Sequence, residues 1–324
     1  MIRGLVIGKF YPPHRGHKFL IETAMRSVDH LDVLICVLAS QTISGDLRQQ
    51  WLQEIHPEAN VVQIEDIGED DNSEVWAAYT KRILGQAPDF VFTSEGYGDA
   101  YARFLGCRHV SVDRERHHVP ISASRIRCNP FAYWDFLEPC VRQHFVKRVC
   151  IVGAESTGTT TLAQDLAAHF ETVWVPEYGR EYCEKLAAAG VDLWNYNWNS
   201  DEFMMIAQAQ IEFELRLARE ANRLLICDTD AFATGIWHER YIGTHSSEID
   251  AIAAARYPCL YVLTNDDIPF VQDGLRDGET IRKWMTNRFE EELIHRKLPW
   301  MKVSGSRRDR LNSAIHAIES LLVP

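Results

Sequence analysis

The chain lacks the features that would place it in a membrane or outside the cell. Among its 324 residues, no window holds the roughly 18 consecutive apolar residues that a membrane-spanning helix needs. The short apolar run at the N-terminus is followed by basic residues and has no small-residue cleavage site, so it does not indicate a signal peptide. The eight cysteines show neither C-x-x-C pairs nor zinc-like spacing. We therefore expect reduced thiols, no membrane association and a cytoplasmic location.

Positive charge is scarce relative to negative charge. The 34 lysines and arginines are outnumbered by 46 aspartates and glutamates, which gives a formal net charge of −12. This balance argues against a general nucleic-acid binder. A small anionic substrate stays compatible with it, because such a substrate needs only a local basic patch. Hydrophobic residues make up 46% of the chain, as in globular proteins, and its length is that of two ordinary domains.

Apolar runs with strand character alternate with helical patterns, and the alternation starts twice. The predicted strands cover 4–10, 32–38, 60–66, 89–95, 108–113, 147–153, 172–177, 223–230, 259–265 and 301–305. The predicted helices cover 17–28, 47–55, 73–84, 97–105, 131–145, 161–170 and 201–220. Such alternation predicts right-handed βαβ crossovers and parallel sheets with helices on both faces. We therefore predict an α/β protein with two doubly wound domains, residues 1–145 and 146–324.

The segment GKFYPPHRGH, residues 8–17, follows the first predicted strand directly. Ligands bind at the carboxyl ends of strands in open α/β sheets, and the start of a helix favours anions. His14 and His17 are three residues apart, so both can face one site from a helix start. Lys9 and Arg15 add positive charge, and these parts together suit a triphosphate and the charge that develops at an attacked phosphorus. Further nucleotide-binding positions in this segment are Gly8, Phe10 and Gly16.

A second phosphate-binding element is predicted at residues 121–127, ISASRIR, after a basic stretch at 114–118. Ser122 and Ser124 can cap a helix and donate hydrogen bonds to phosphate oxygens. Arg127 can reach the same phosphates as a two-pronged donor. A charge run beside a helix cap is usually a solvated surface feature, so this element becomes significant only together with the segment 8–17.

The second half opens with a strand and the segment GAESTGTTT, residues 153–161. The P-loop template is G-x-x-x-x-G-K-[ST] between a strand and a helix, and both the glycines and the context fit it. Thr160 falls at the position of the hydroxyl that binds magnesium, but Thr159 stands where the template has lysine. The backbone N–H groups of such a loop can still cradle phosphates. The positions that we assign to nucleotide binding are Gly153, Glu155, Ser156, Gly158, Thr159, Thr160 and Thr161.

Carboxylates and arginines further along the chain can complete this second site. Asp228 and Asp230 end the predicted strand 223–230, where a magnesium ligand or a base for a substrate hydroxyl would lie. We assign Asp228, with Thr160, to magnesium and Asp230 to catalysis, and capping of the next helix is the alternative role of both aspartates. Arg276, in a glycine-containing loop, and Arg282 are the candidates to replace the missing lysine. Further polar residues at a strand end are Glu177, Tyr178 and Arg180.

The pattern G-x-F-x-P-x-H-x-G-H at residues 8–17, followed by I-S-x-[ST]-x-x-R at 121–127, resembles the nucleotidylyltransferase superfamily. The resemblance implies that His14, His17 and Arg127 contact the nucleotide phosphates. It also implies catalysis by positioning and electrostatics, in which a substrate phosphate attacks the α-phosphorus of ATP and magnesium pyrophosphate leaves. No side chain would then act as a covalent nucleophile.

Both halves together resemble the NadR family, because the first domain and the P-loop are followed in order by VPEYGRE, DTDAFATGIW, IPFVQDGLRD and VSGS. This resemblance covers nearly the whole chain and implies a nicotinamide mononucleotide adenylyltransferase followed by a ribosylnicotinamide kinase. The ligands that it implies are ATP with Mg²⁺, nicotinamide mononucleotide, nicotinamide riboside and NAD. It also implies that Trp76 and residues 94–98 help to hold nicotinamide or adenine, and that Asp230 is the kinase base or hydroxyl anchor.

Two departures from the family pattern bear on these expectations. Some members carry an N-terminal helix-turn-helix, for which this chain has no room before its first strand, so we expect no sequence-specific DNA binding. Thr159 leaves two alternatives for the second domain, an active kinase or a nucleotide-binding regulatory module. The first domain could also use another phosphorylated acceptor, such as phosphopantetheine or a sugar phosphate. We further expect a homo-oligomer.

Overall fold

The computed structural model describes residues 1–69, 72–274 and 278–322. The chain divides into two compact units between Val141 and Arg142. This division lies within the helix Pro139–Phe145, shortly before the strand that opens the second half. Each unit is an α/β sandwich with its own parallel sheet.

Five parallel strands form the sheet of the first unit. They are β1 (Arg3–Gly8), β2 (His30–Val37), β3 (Asn60–Glu65), β4 (Phe90–Thr93) and β5 (Arg108–Ser111). Their order is β3-β2-β1-β4-β5. The chain moves outward from β1 to β3 and then returns to the other side of β1 to form β4. The carboxyl ends of β1 and β4 therefore flank a topological switch point, where α/β sheets bind ligands.

Helices cover both faces of this sheet, and the strand sequences are apolar on both faces as a result. Leu5 and Val6 are both fully buried but belong to two different hydrophobic clusters, because successive strand residues point to opposite faces. Val6 lies opposite Val33 of β2 and Phe92 of β4. The helices are α1 (Arg15–Met25), α2 (Gly45–Ile55), α3 (Ser73–Leu84), α4 (Gly98–Leu105), α5 (Ala123–Cys128) and, across the division, α6 (Pro139–Phe145).

The second unit repeats this architecture with a different strand order. Its strands are β6 (Lys147–Gly153), β7 (Trp174–Val175), β8 (Leu224–Asp228), β9 (Leu260–Thr264) and β10 (Trp300–Val303). They are parallel and lie in the order β10-β9-β6-β8-β7. The central strand β6 pairs with β8 and β9, so that Cys150 lies opposite both Cys227 and Tyr261. The loop that follows β6 therefore lies at the middle of the sheet, beside the end of β8.

The helices of the second unit complete two hydrophobic clusters, one on each face of its sheet. They are α7 (Thr159–His169), α8 (Tyr178–Ala188), α9 (Ser200–Leu217), α10 (Ala231–Ile242), α11 (Ser247–Ala254), α12 (Arg282–His295) and α13 (Arg307–Leu322). The long helix α9 begins with a capping box, in which Asn199 and Glu202 satisfy each other's backbone N–H groups. Within the described residues, none of these helices or those of the first unit is long and apolar enough to span a membrane.

The structure confirms the α/β fold class, the two parallel sheets and all ten predicted strands, with ends that differ by a few residues. The predicted helix at 131–145 was wrong. That stretch contains a short 3-10 turn, Trp134–Phe136, and the separate helix α6, which starts at Pro139. Proline lacks the N–H that a continuing helix requires but suits a first helical position, so it starts a new helix here.

Candidate active sites

A cavity of about 410 Å³ lies at the switch point of the first sheet. Several separated segments meet there, among them the end of β1 and the loop after it, the loop after β4, the start of α5, and α3. The predicted site residues that line it are Gly8, Lys9, Phe10, His17, Ser124 and Arg127, together with Trp76, Ser94, Glu95 and Tyr97. The structure therefore brings both predicted phosphate-binding elements to one cavity.

His14 does not line this cavity and instead caps α1. Its Nδ1 accepts hydrogen bonds from the backbone N–H groups of Gly16 (3.1 Å) and His17 (3.3 Å). The two imidazoles are stacked, with ring centroids 3.7 Å apart. A Cβ atom at position 16 would lie 2.9 Å from Cε1 of His14, so only glycine leaves room for this cap. Burial, with the charge of Arg116 as a smaller cause, lowers the pKa of His14 to about 3.

His17 lies between this cap and the cavity. Burial lowers its pKa well below the usual range, and the neighbouring charges of His14 and Arg116 act in the same direction. Its Nδ1 is buried and has no hydrogen-bond partner among the described residues. The edge of the Phe10 ring packs against the imidazole, with centroids 4.9 Å apart. A neutral imidazole is thus held at the cavity wall, able to donate or accept one hydrogen bond.

Lys9 contributes a positive charge to the same wall. Its Nζ lies 3.4 Å from Oδ2 of Asp66, whose side chain is almost fully buried. The loop that carries Lys9 is held from behind by Arg48 of α2, which donates to the carbonyl oxygens of Lys9 and Cys36. Arg48 is fully buried. Its role was not predicted from the sequence, where the local signal is an arginine on the same face of the amphipathic helix as Leu52.

Arg127 reaches the loop after β1 from α5. Its Nη1 donates to the carbonyl oxygen of Tyr11 (2.5 Å), and its Nη2 donates to Oγ of Ser124 (3.2 Å). The guanidinium also lies 4.7 Å from the centre of the Tyr11 ring. Ser122, by contrast, accepts from the N–H of Arg125 and caps α5. The two serines of this element therefore have different contacts, and Ser124 is the one that lines the cavity.

The loop after β4 also lines this cavity. Gly98 begins α4 where a methyl group would overlap Nε2 of His109. That nitrogen lies 2.9 Å from Oγ1 of Thr93, and Nδ1 of His109 lies 2.7 Å from Asp99. The close approach fixes the end of β4, from which Tyr97 extends along the cavity. Trp76 lines the cavity from α3 and donates its indole N–H to a backbone carbonyl at 2.9 Å.

A second cavity, of about 150 Å³, lies over the P-loop of the second sheet. Predicted residues that line it are Gly153, Glu155, Ser156, Thr159, Thr160 and Asp228. Thr160 Oγ1 donates to Oδ2 of Asp228 over 2.5 Å. Burial raises the pKa of Asp228 to about 6, although hydrogen bonds from Thr160 and Thr159 lower it. The predicted magnesium pair is thus assembled at the end of β8.

The P-loop backbone is fixed by several buried contacts. Thr157 Oγ1 donates to the carbonyl of Ala154 (2.6 Å) and lies 2.7 Å from Oγ1 of Thr264. A Cβ atom on Gly153 would overlap the Thr264 hydroxyl, and Gly158 has a φ of +85°, which favours glycine. Both template glycines are therefore required by geometry.

Asp230 lies outside this cavity and is buried. One of its carboxylate oxygens accepts from the N–H of Ala233 (3.1 Å) and caps α10, and the other accepts from the hydroxyl of Tyr261 (2.7 Å). These contacts match helix capping, the alternative role that the sequence allowed. The carboxylates that do line the cavity are Glu155, Glu177 and Asp228.

The lysine position of the P-loop is occupied by Thr159. The positions of Arg276, Arg282 and Arg180 decide which of them can supply the missing charge. Arg276 lies outside the described residues. Arg282 donates to the carbonyl oxygens of Ser156 (3.3 Å) and Ile268 (3.0 Å) and does not line the cavity. Arg180 does line it, from the first turn of α8.

Trp198, Phe203, Trp237 and Tyr241 form an aromatic wall of this cavity. Trp198 packs against Tyr241 with ring centroids 5.4 Å apart. Arg240 lies against the rings of Trp237 and Tyr241 and pairs with Glu155 of the P-loop at 2.9 Å. A flat ring bound at this wall would therefore lie beside the phosphate loop.

The fold and the two cavities define a two-domain α/β nucleotide-binding protein with a P-loop in its second domain. Residues 148–310 match the family model described as AAA domain. The chain is 30% identical to the trifunctional NAD biosynthesis/regulator protein NadR of Salmonella typhimurium, over 94% of this chain and 80% of that protein. The Escherichia coli protein of the same name is 31% identical over the same shares.

Two solved NadR structures have the same fold. One, in complex with NR, has a TM-score of 0.77 and 20% identity and covers 98% of this chain and 95% of its own. The other, in complex with NAD and AMP-PNP, has a TM-score of 0.78 and 21% identity and covers 99% and 96%. The chain belongs to the NadR family.

Proposed function

We propose that the first domain transfers AMP from ATP to nicotinamide mononucleotide, giving NAD and pyrophosphate. The observation that carries this proposal is the single cavity in which Lys9, His17, Ser124 and Arg127 meet at the switch point of the sheet. Relatives described as NAD biosynthesis proteins at 30% and 31% identity support the choice of substrate.

The chemistry follows from the charges that line the cavity. A phosphate oxygen of the mononucleotide forms a bond to the α-phosphorus of ATP, and the bond from that phosphorus to the pyrophosphate breaks. Lys9 and Arg127 offset the negative charge that develops, and neutral His17 donates a hydrogen bond to a phosphate oxygen. His14 acts indirectly, because its cap fixes the first turn of α1 and the stacked ring of His17. In this assignment the adenine or nicotinamide ring lies against Trp76 and Tyr97.

The second domain is assigned the phosphorylation of nicotinamide riboside by ATP. The aromatic wall is a surface for the nicotinamide ring, and the P-loop beside it is a cradle for the phosphates of ATP. The riboside hydroxyl oxygen forms a bond to the γ-phosphorus, the bond to ADP breaks, and the hydroxyl proton goes to Glu177 or Asp228. A NadR structure in complex with NR and one with AMP-PNP are consistent with these ligand classes.

Magnesium enters this proposal with ATP. No group of three or more His, Cys, Asp or Glu side chains that could hold a metal occurs among the described residues. Mg²⁺ at phosphate sites usually takes only one or two protein oxygens and completes its shell with water and phosphate. The hydroxyl of Thr160 and the carboxylate of Asp228 fit that requirement. When bound there, the ion would neutralise charge on the β- and γ-phosphates.

Two alternative functions compete with this assignment. Thr159 favours a second domain that binds nucleotides without phosphorylating anything, and the first cavity alone does not exclude another phosphorylated acceptor. Purified protein with magnesium-ATP would receive nicotinamide riboside in one sample and nicotinamide mononucleotide in another, with NAD measured by chromatography. NAD from both samples supports both activities. NAD from the mononucleotide alone reduces the second domain to a binding module, and NAD from neither overturns the substrate assignment.

A further inference from the structure

The P-loop of this chain must handle polyphosphate without the lysine that normally contacts the β- and γ-phosphates. The inference that follows rests on the proposed nucleotide binding by the second domain. A cation in the right place is required because the carboxylates Glu155, Glu177 and Asp228 line the same cavity. Glu155 pairs with Arg240 at 2.9 Å.

Two arginines next to the P-loop hold its backbone from behind. Arg310 donates to the carbonyl oxygen of Thr157 (2.5 Å), and Arg282 donates to that of Ser156 (3.3 Å). Both guanidinium groups are largely buried, and Arg310 also donates to the carbonyl of Gly305 (3.0 Å). Neither residue lines the cavity. Their hydrogen bonds keep the loop in shape, so moving them to a phosphate would break the cradle.

Arg180, unlike Arg282 and Arg310, is partly exposed and lines the cavity. Among the residues that the structure describes, it is the only arginine or lysine that lines the cavity. Its side chain is 40% exposed and is held by carboxylates, with Nη2 2.9 Å from Asp273 and Nε 3.0 Å from Glu184. Its positive charge also acts on Asp228, where it favours the ionised carboxylate. Arg180 is therefore near the magnesium pair and is bound by partners that an anion can replace.

We propose that Arg180 replaces the missing P-loop lysine, exchanging Asp273 for the β- and γ-phosphate oxygens of ATP. A guanidinium suits this task because its planar fork can donate two parallel hydrogen bonds to one phosphate. The charge then comes from α8 rather than from the loop itself. Thr159 carries no charge, and its hydroxyl instead forms a hydrogen bond with Asp228.

The test is a double-mutant cycle in the full chain. Riboside phosphorylation is measured as kcat and KM for ATP in the original protein, Arg180→Ala, Thr159→Lys and the double variant. Arg180→Ala should lower kcat/KM by about 100-fold in the original background, the size expected for a lost charge contact in the transition state. In the Thr159→Lys background the same change should cost less than about 5-fold, because the restored lysine supplies the charge.

Matched controls separate this role from general effects. Arg307→Ala removes another exposed arginine that pairs with a carboxylate, Asp165, and that does not line the cavity; it should leave both constants within about 2-fold, as for a surface change. Arg180→Lys keeps the positive charge but lacks the planar fork, so its kcat/KM should lie between those of the original protein and Arg180→Ala. Arg276→Ala is measured in both backgrounds as well. The proposal is overturned if Arg180→Ala lowers kcat/KM equally in both backgrounds or in neither. It is also overturned if only the loss caused by Arg276→Ala is relieved by Thr159→Lys.

A binding measurement distinguishes this inference from the kinase assignment. Titration with AMP-PNP is repeated for the same four proteins with Lys9→Ala and Arg127→Ala added to disable the first cavity. Weaker binding in Arg180→Ala that Thr159→Lys restores supports Arg180 even if no riboside is phosphorylated, and only the kinase assignment then fails. The other outcome is that AMP-PNP binding is unchanged across the cycle and that riboside phosphorylation does not depend on Arg180. That outcome overturns the inference and leaves the kinase assignment in place.

Discussion

The hydroxyl of Thr160 donates a 2.5 Å hydrogen bond to Oδ2 of Asp228 and so joins the first turn of α7 to the end of β8. The two residues are 68 positions apart in the sequence. Their contact unites the P-loop with the neighbouring strand at the point where phosphates, magnesium and substrate hydroxyl would meet. The second site can therefore be tested by changing the charge of Asp228, by mutation or by pH.

Asp228→Asn should lower kcat for riboside phosphorylation by about 100-fold or more, since it removes a charge at the reacting phosphates. Because the pKa of Asp228 is raised to about 6, the ionised form dominates only above that pH. The value of kcat/KM for magnesium-ATP, which reports the groups of the free protein, should therefore rise through pH 6 and level off above it. A pH–rate profile that keeps the same inflection in Asp228→Asn would contradict this role. Glu177→Gln, compared in parallel, tests the other candidate proton acceptor.

Asp230→Ala should affect stability rather than chemistry. The change removes the cap of α10 and leaves the buried hydroxyl of Tyr261 without its acceptor. Together these losses should lower the free energy of unfolding by about 2–4 kcal/mol. Urea unfolding would measure this, and kcat for riboside phosphorylation at a temperature where the variant is folded should change little. A folded, stable variant with a 100-fold lower kcat would restore Asp230 as a catalytic residue.

Arg127→Ala should lower the rate of NAD formation from the mononucleotide by about 100- to 1000-fold, because a donor aimed at developing phosphate charge is lost. Arg125→Ala is the matched control, since that residue lies on the same short helix but contacts Tyr133 and the carbonyl of Pro120 instead. Riboside phosphorylation should be unchanged in both variants. Equal losses of NAD formation in the two variants would indicate a general effect on α5.

The first domain should lose stability in mild acid. His14 has a pKa of about 3 in the folded protein and about 6.5 when unfolded, so the unfolded chain binds more protons between these values. The free energy of unfolding therefore falls as the pH drops below 6.5, by up to about 1.4 kcal/mol per pH unit for one proton. His14→Asn keeps a side chain that can cap α1 but does not titrate. Thermal melts at pH 7 and 5 should differ less for this variant than for the original protein.

The strands and the two phosphate-binding segments were predictable because they depend on local patterns. Short apolar runs, such as those around Leu5 and Val149, predict buried strands without any knowledge of the rest of the fold. The glycines of both loops likewise predict sharp turns. The break at Pro139 was also a local signal, and the prediction of one helix across it gave that proline too little weight. The packing of His14 as a cap, rather than as a cavity residue, depends on the exact turn before α1 and is not visible in the spacing of two histidines.

Long-range contacts account for the parts of the sites that the sequence did not reveal. Asp228 and Asp230 look equivalent in the sequence, and their roles are separated by distant partners, Thr160 for Asp228 and Tyr261 of β9 for Asp230. Arg310 lies on α13 at four-residue spacing from Ala314 and Ile318, all of them buried. An arginine on an apolar helix face indicates a buried partner but not which one. One of its partners is the P-loop carbonyl of Thr157, 153 residues earlier.

Each of the four hydrophobic clusters is made of residues from one half of the chain only. The packing that supports either cavity is thus encoded in one contiguous stretch of sequence. Mutations can accumulate around one cavity while the interior of the other half keeps every one of its partners. A P-loop with threonine at the lysine position of the template therefore leaves the packing of the first half unchanged.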